Sequence, residues 1–177
     1  MADLGQAIWR TEASVPVFQA MQHVVPVRPD YCLAPIAEGF NWSECLTFAA
    51  EGEWYLVVFR SVRREFADVL LLTELDDRAF EEARAASGLI YYFKGELNER
   101  RECLSFCLWE DQPQAWSAAG LQHHIAAAAL VRDMYQSYRL ERYRVLKQLD
   151  NPVPRFLPIH GGPIAALTEQ ALPAPSR

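Results

Sequence analysis

The 177 residues carry 17 Lys and Arg against 23 Asp and Glu, a net charge of −6, and 51% of them are hydrophobic. That length fits one domain with a sizeable core, and the acidic balance excludes a phosphate-backbone binder, so no nucleic-acid partner is expected. The opening Met1-Ala2-Asp3-Leu4 lacks the basic and apolar regions of a signal peptide, and no apolar run approaches the ~20 residues of a membrane span. A cytoplasmic protein without membrane contact is the expectation.

Three regions are predicted in chain order. Residues 1–52 form an irregular N-terminal extension punctuated by Pro16, Pro26, Pro29 and Pro35. Residues 53–148 hold the periodic elements of an α/β domain. Residues 149–177 form a Pro-rich tail, in which Pro152, Pro154, Pro158, Pro163, Pro173 and Pro175 argue against long regular structure.

Within the middle region, residues 54–62 are β-branched and aromatic and predict a strand buried on both faces. A helix follows over about 74–87, with Thr73 and Asp76 as a capping box, Leu75, Ala79, Ala83 and Ala86 as its stripe and Gly88 beyond its end. Asp68 is the alternative cap, for an earlier start. Residues 89–97 and 102–109 read as two strands joined by the turn Asn98-Glu99-Arg100. Asp111, with Pro113 in the first turn, caps a second helix running to about residue 135. A last strand over 138–147 presents Tyr138, Leu140, Arg142 and Arg144 on one side and Arg139, Glu141, Tyr143 and Val145 on the other. Its basic residues read as solvated side chains rather than a nucleic-acid patch.

Cys32, Cys45, Cys103 and Cys107 are expected as free thiols. Cys103 and Cys107 share a strand face but sit ~13 Å apart at ~3.3 Å per residue, too far for one zinc ion that takes each sulfur at ~2.3 Å.

The order β-α-β-β-α-β is the ferredoxin-like α+β arrangement, a four-stranded antiparallel sheet with both helices on one face. Trp54, Leu56 and Val58 share one side with Arg60, while Tyr55, Val57 and Phe59 take the other. Two apolar faces and only one helical layer leave a face to be covered. A twofold homodimer through that sheet face is the expectation.

The strand Cys103-Leu-Ser-Phe-Cys-Leu-Trp109, Glu110 after it, and a helix bearing Ala115-Trp116 and His123-His124-x-Ala126 resemble the dimeric α/β barrel superfamily that includes the antibiotic-biosynthesis-monooxygenase-like proteins. The resemblance covers just over half the chain. Phe-Arg-Ser-Val-Arg at 59–63, Asp-Asp-Arg-Ala at 76–79 and Tyr-Phe-Lys-Gly at 92–95 further resemble a bacterial subgroup of it, to which no activity attaches. The resemblance implies a small planar or aromatic ligand between the second helix and the sheet. In heme-binding members a histidine of that helix holds the iron, which implies His123, or failing it His124, should heme be the cofactor. The asparagine and tryptophan set of those enzymes is not matched.

Six residues are candidates for the site. His123 falls on the second helix's apolar stripe with Trp116, Gly120, Ala127, Leu130 and Met134, and His124 lies at its edge. Both can equally be structural histidines bonded to backbone. Arg60 ends an apolar strand and needs a partner, a ligand carboxylate or a structural acid. Tyr92 faces the same way as Lys94 and could offer a phenol to a pocket, or simply pack. Trp109 and Trp116 supply aromatic walls. The Glu110-Asp111 pair reads as helix capping. There is no Gly-x-Gly-x-x-Gly, Walker loop, Gly-x-Ser-x-Gly or His-Glu-x-x-His, which argues against nucleotide-driven and zinc-hydrolase chemistry. Two readings remain: a monooxygenase-like enzyme, cofactor-independent or heme-dependent, and a non-catalytic structural or ligand-sensing dimer whose cavity is filled by side chains.

Overall fold

The structure, a computed structural model, describes residues 16–160. Five strands, β1 (Gly52–Arg63), β2 (Leu89–Phe93), β3 (Glu102–Trp109), β4 (Tyr135–Gln148) and β5 (Asn151–Pro158), form one antiparallel sheet in the order β2-β3-β1-β4-β5. The first four have the ferredoxin-like order. One face carries α4 (Val69–Ala85), α5 (Gln112–Ala119), α6 (Gln122–Ala129) and α7 (Val131–Met134). The other carries α1 (Val17–Met21), α2 (Ile36–Gly39) and α3 (Trp42–Leu46).

The extension is therefore built rather than irregular. A bridge between Pro26 and Phe40 closes it into a loop, and Asn41 pins that loop by accepting from Val25 N (2.8 Å) and donating to the His23 carbonyl (3.2 Å). Met21, Val24, Ile36, Phe40, Trp42 and Leu46 then pack on Leu56, Val58, Leu104, Phe106 and Val145. Phe106 is the hub, its ring 5.2 Å from those of Phe40, Trp42 and Phe93. Leu56, Val58, Leu104 and Phe106 are 0% exposed, each contributing roughly 1.5–3 kcal/mol of burial.

The sheet face through which a homodimer is expected is covered by the chain's own α1–α3.

Four boundaries also differ from expectation. The first long helix starts at Val69, because Asp68 caps it by accepting from Leu71 N (3.0 Å). β2 stops at Phe93, because Gly95 N turns aside to Ser105 Oγ (3.1 Å). The single helix over 111–135 is three short ones. Asp111 does cap α5, through Gln114 N at 2.9 Å, but Leu121 is extended (ψ 157°) and breaks the run just after Gly120. Glu82 of α4 restarts it, accepting from His123 N (2.9 Å) in the first turn of α6. Finally, the start of the Pro-rich tail is strand β5. The Ile159 N–H turns to the Arg142 carbonyl, so the missing N–H of its neighbour Pro158 lies on the unpaired side of an edge strand. The rest of the expected tail, 161–177, lies outside the described residues.

Candidate functional site

The two faces of the sheet are not equally sealed. Along β3, Leu104, Phe106 and Leu108 are buried under the extension, while Cys103, Ser105 and Cys107 on the helix side keep part of their surface accessible. β1 behaves alike, with Val58 buried and Val57 and Phe59 partly accessible. The reason is the helical layer. α6 packs mainly on α4 rather than on the strands, and its run of four alanines, Ala126–Ala129, offers little bulk to fill the space beneath.

The polar residues on that side come from α4, α6 and the strands β2, β3 and β4. On β2, Tyr92 donates its hydroxyl to Asp76 Oδ1 of α4 (2.7 Å), and its ring lies 5.3 Å from that of Phe80. Lys94 bridges Asp76 Oδ2 (2.7 Å) and Asp77 Oδ1 (2.9 Å). Cys107 of β3 and Tyr138 of β4 are deeply set. Burial, with the Asp76 charge adding to it, pushes the Cys107 thiol and the Tyr92 phenol far up. Burial and the neighbouring Tyr135 do the same to Tyr138, so all three stay protonated. His124 of α6 has a buried Nδ1 with no partner among the described residues. Burial lowers its pKa against the opposing pull of Glu82 and Asp76, which leaves a neutral imidazole at pH 7.

Tyr55 Oη, Arg63 Nε, Gln114 Oε1, His123 Nδ1, His124 Nδ1 and Arg142 Nη2 are the buried side-chain polar atoms without a hydrogen bond among the described residues. All six belong to residues on the helix side of the sheet. None lies under the extension, where every such group is satisfied. Buried polar atoms are ordinarily paired, and these exceptions lie on the less sealed side of the sheet.

The six sequence candidates do not converge. His124 and Tyr92 line the space. His123 stands beside it, its Nδ1 2.7 Å from Glu82 Oε1 across the α4–α6 contact, close but outside hydrogen-bond geometry. Arg60 lies on the opposite face. It pairs with Glu141 (2.8 Å) and donates to the carbonyls of Cys32 (2.6 Å) and Ala34 (2.7 Å), so its partners are structural. Trp109 is buried in a small core with Tyr55, Ala83, Ala115 and Ala118. Trp116, 40% exposed, and Gln112 approach the Tyr55 hydroxyl without forming a hydrogen bond. Reasoning from sequence missed Asp76, Cys107, Tyr138 and Arg142. For Asp76 the signal was present: it sits one turn from Leu72 and Ala79 on the buried stripe of α4.

The described residues contain no group of three or more metal-ligating side chains, and no helix among them is long and apolar enough to cross a membrane. For heme, the ligand implied by the resemblance is His123. Its Nδ1 and backbone N–H are turned to Glu82.

Strand order and helical layer together define a ferredoxin-like α+β protein. More narrowly, the chain belongs to the PB2B2.08-like family, whose model matches residues 6–153. Among solved structures it is similar to Rv0793 from Mycobacterium tuberculosis (21% identity, 55% of this chain and 97% of that one, TM-score 0.46). It is also similar to SnoaB, a cofactor-independent oxygenase from Streptomyces nogalater (12%, 56% and 99%, 0.44). PA3566 from Pseudomonas aeruginosa is a third (11%, 56% and 99%, 0.46). No curated protein matches the chain.

Proposed function

We propose that the protein binds a small planar aromatic ligand between α4, α6 and the sheet, and that His124 accepts a proton from it. The observation that carries this reading is the buried, orphaned Nδ1 of the neutral His124 imidazole on the helix side of the sheet, the side of the Tyr92–Phe80 ring pair. Tyr92, Tyr138 and Cys107 are protonated and have no basic site to take up a proton, so the neutral imidazole is the base best suited among them to a phenolic or acidic C–H proton. A cofactor-independent monooxygenation would begin with that deprotonation.

The test is a titration of intrinsic tryptophan fluorescence with 2-naphthol, a neutral planar phenol. Binding is expected in the wild type, with loss in Val57→Trp, which fills the space from the sheet side. His124→Gln should bind but no longer shift the naphthol absorption toward naphtholate. If Val57→Trp binds as well as wild type, the ligand is not in this space. A Soret band in purified protein that vanishes in His123→Ala would establish heme instead. Failure of every planar probe would favour the non-catalytic module.

A further inference from the structure

Among the described residues, Arg142 is a buried arginine that no acid pairs. Its neighbours in sequence and space are all paired: Arg60 with Glu141, Arg144 with Glu53, Arg139 with Glu141. Arg142 lies opposite Val57 on the helix side of β4, 8% exposed, with no acid within salt-bridge distance among the described residues and a buried Nη2 that has no acceptor. A lone guanidinium in such surroundings is costly, and the cost is removed by an anion that takes its N–H groups.

A second orphan stands beside it. Tyr55 pairs with Arg144 in the register, which makes Tyr55 and Arg142 diagonal neighbours on one face of β1 and β4. Tyr55 is 3% exposed, and its hydroxyl has no partner either. Two unanswered donors, one of them cationic, are set among apolar side chains, Val57, Leu89, Cys107 and Leu121.

We infer that Arg142 and Tyr55 are a carboxylate anchor, and that the ligand of the helix–sheet space is a planar aromatic acid. The inference rests on the reading above and narrows its substrate class. One carboxylate oxygen meets Arg142 Nη2 and the other the Tyr55 hydroxyl, while the ring lies on the apolar walls. A phosphate dianion fits poorly, since there is a single cation and no glycine-rich loop. A cleft of about 280 Å³ also reaches Tyr55, lined by Glu110, Asp111 and the Glu53–Arg144 pair among others.

The experiment compares 2-naphthoate with 2-naphthamide on the full chain, by tryptophan fluorescence and by melting temperature. The wild type is expected to bind naphthoate roughly tenfold to a hundredfold more tightly, the worth of one charge-assisted hydrogen-bonded pair. Arg142→Met should erase that preference, Arg142→Lys should keep part of it, and Tyr55→Phe should reduce it. Circular dichroism checks that each variant is folded. The ligand-free Arg142→Met protein should melt no lower than wild type, because an unanswered buried charge is gone. Equal affinity for acid and amide in the wild type overturns the anchor, as does a preference that survives Arg142→Met. Should 2-naphthol bind while naphthoate does no better than the amide, the pocket reading stands and only the anchor falls.

Discussion

Arg60 and His124 show how one residue type can be read from sequence and still be placed by its partners. An arginine at the end of an apolar strand has to meet an acceptor, and that much was legible. The acceptors are Glu141 and two carbonyls of the extension, which lie 81, 28 and 26 residues away, so no local pattern could name them. Although burial pushes the Glu141 carboxyl up, Arg60, Tyr143 and Arg139 hold it below its ordinary range. Burial and Glu141 push the Tyr143 phenol up to about 12. Arg60→Met strands a carboxylate and two carbonyls that are largely sheltered from water. It is expected to cost about 2–3 kcal/mol in chemical denaturation, and a loss below about 0.5 kcal/mol would show that water takes over the acceptors. His124 carries the pH dependence. Its burial-lowered pKa means the unfolded chain binds more protons than the folded one below its ordinary 6.5. Stability is therefore full above pH 6.5 and falls as pH drops through and below it toward the folded value. A melting curve taken from pH 8 to pH 5 should decline there in the wild type. The decline should be shallower in His124→Gln, with Asp76 and Glu82, the acids facing it, unchanged in both.

At the scale of elements, periodicity located the strands and the first long helix well, since both are set by residues within a few positions of one another. Its failures have a common cause. The predicted helix over 111–135 has good local propensity throughout, but a carboxylate from another helix decides where it is broken. Glu82 accepts from the His123 N–H, satisfying one of the orphan donors that every helix N-terminus leaves and meeting its dipole with a negative charge. These hydrogen bonds outweigh the carboxylate's desolvation and lower its pKa. Beyond the break, α6 packs on α4 rather than on the strands. Glu82→Ala is expected to lower the melting temperature and raise amide exchange across residues 122–125, while Glu82→Gln, which keeps the acceptor, should recover most of the exchange protection. Uniform exchange change along the whole of α6 and α4 in both variants would point to lost packing instead of a lost cap. β5 failed for a related reason. Prolines argue against a strand only where its N–H groups are needed, and at Pro158 the missing one faces an empty edge.

For the whole molecule, the question is what seals the second apolar face of the sheet. Periodicity established that the face exists. It could not say which chain covers it, because the α1–α3 segment reads as short, proline-broken and aperiodic, and its apolar side chains form a surface only after the Pro26–Phe40 bridge has folded it. A domain whose sheet is already dry on that side gains nothing from a sheet-to-sheet partner. β5 also occupies the edge of β4 from Tyr143 to Gln148. The full chain is therefore expected to run as a 20.2 kDa monomer by light scattering at micromolar concentration. Loosening the cover should change this. Trp42 stacks between Phe106 and Phe156 at 5.2 Å from each and donates its indole N–H to the Ile36 carbonyl (2.7 Å). Trp42→Ala removes all three contacts and should cost about 3–5 kcal/mol. The extension should then detach before the sheet melts, exposing Leu56, Val58 and Phe106, and the variant should self-associate in proportion to concentration. A wild-type mass of about 40 kDa would mean that the molecule pairs through some other surface. A Trp42→Ala variant that stays monomeric while losing the same stability would mean that the cover and the sheet unfold as one unit.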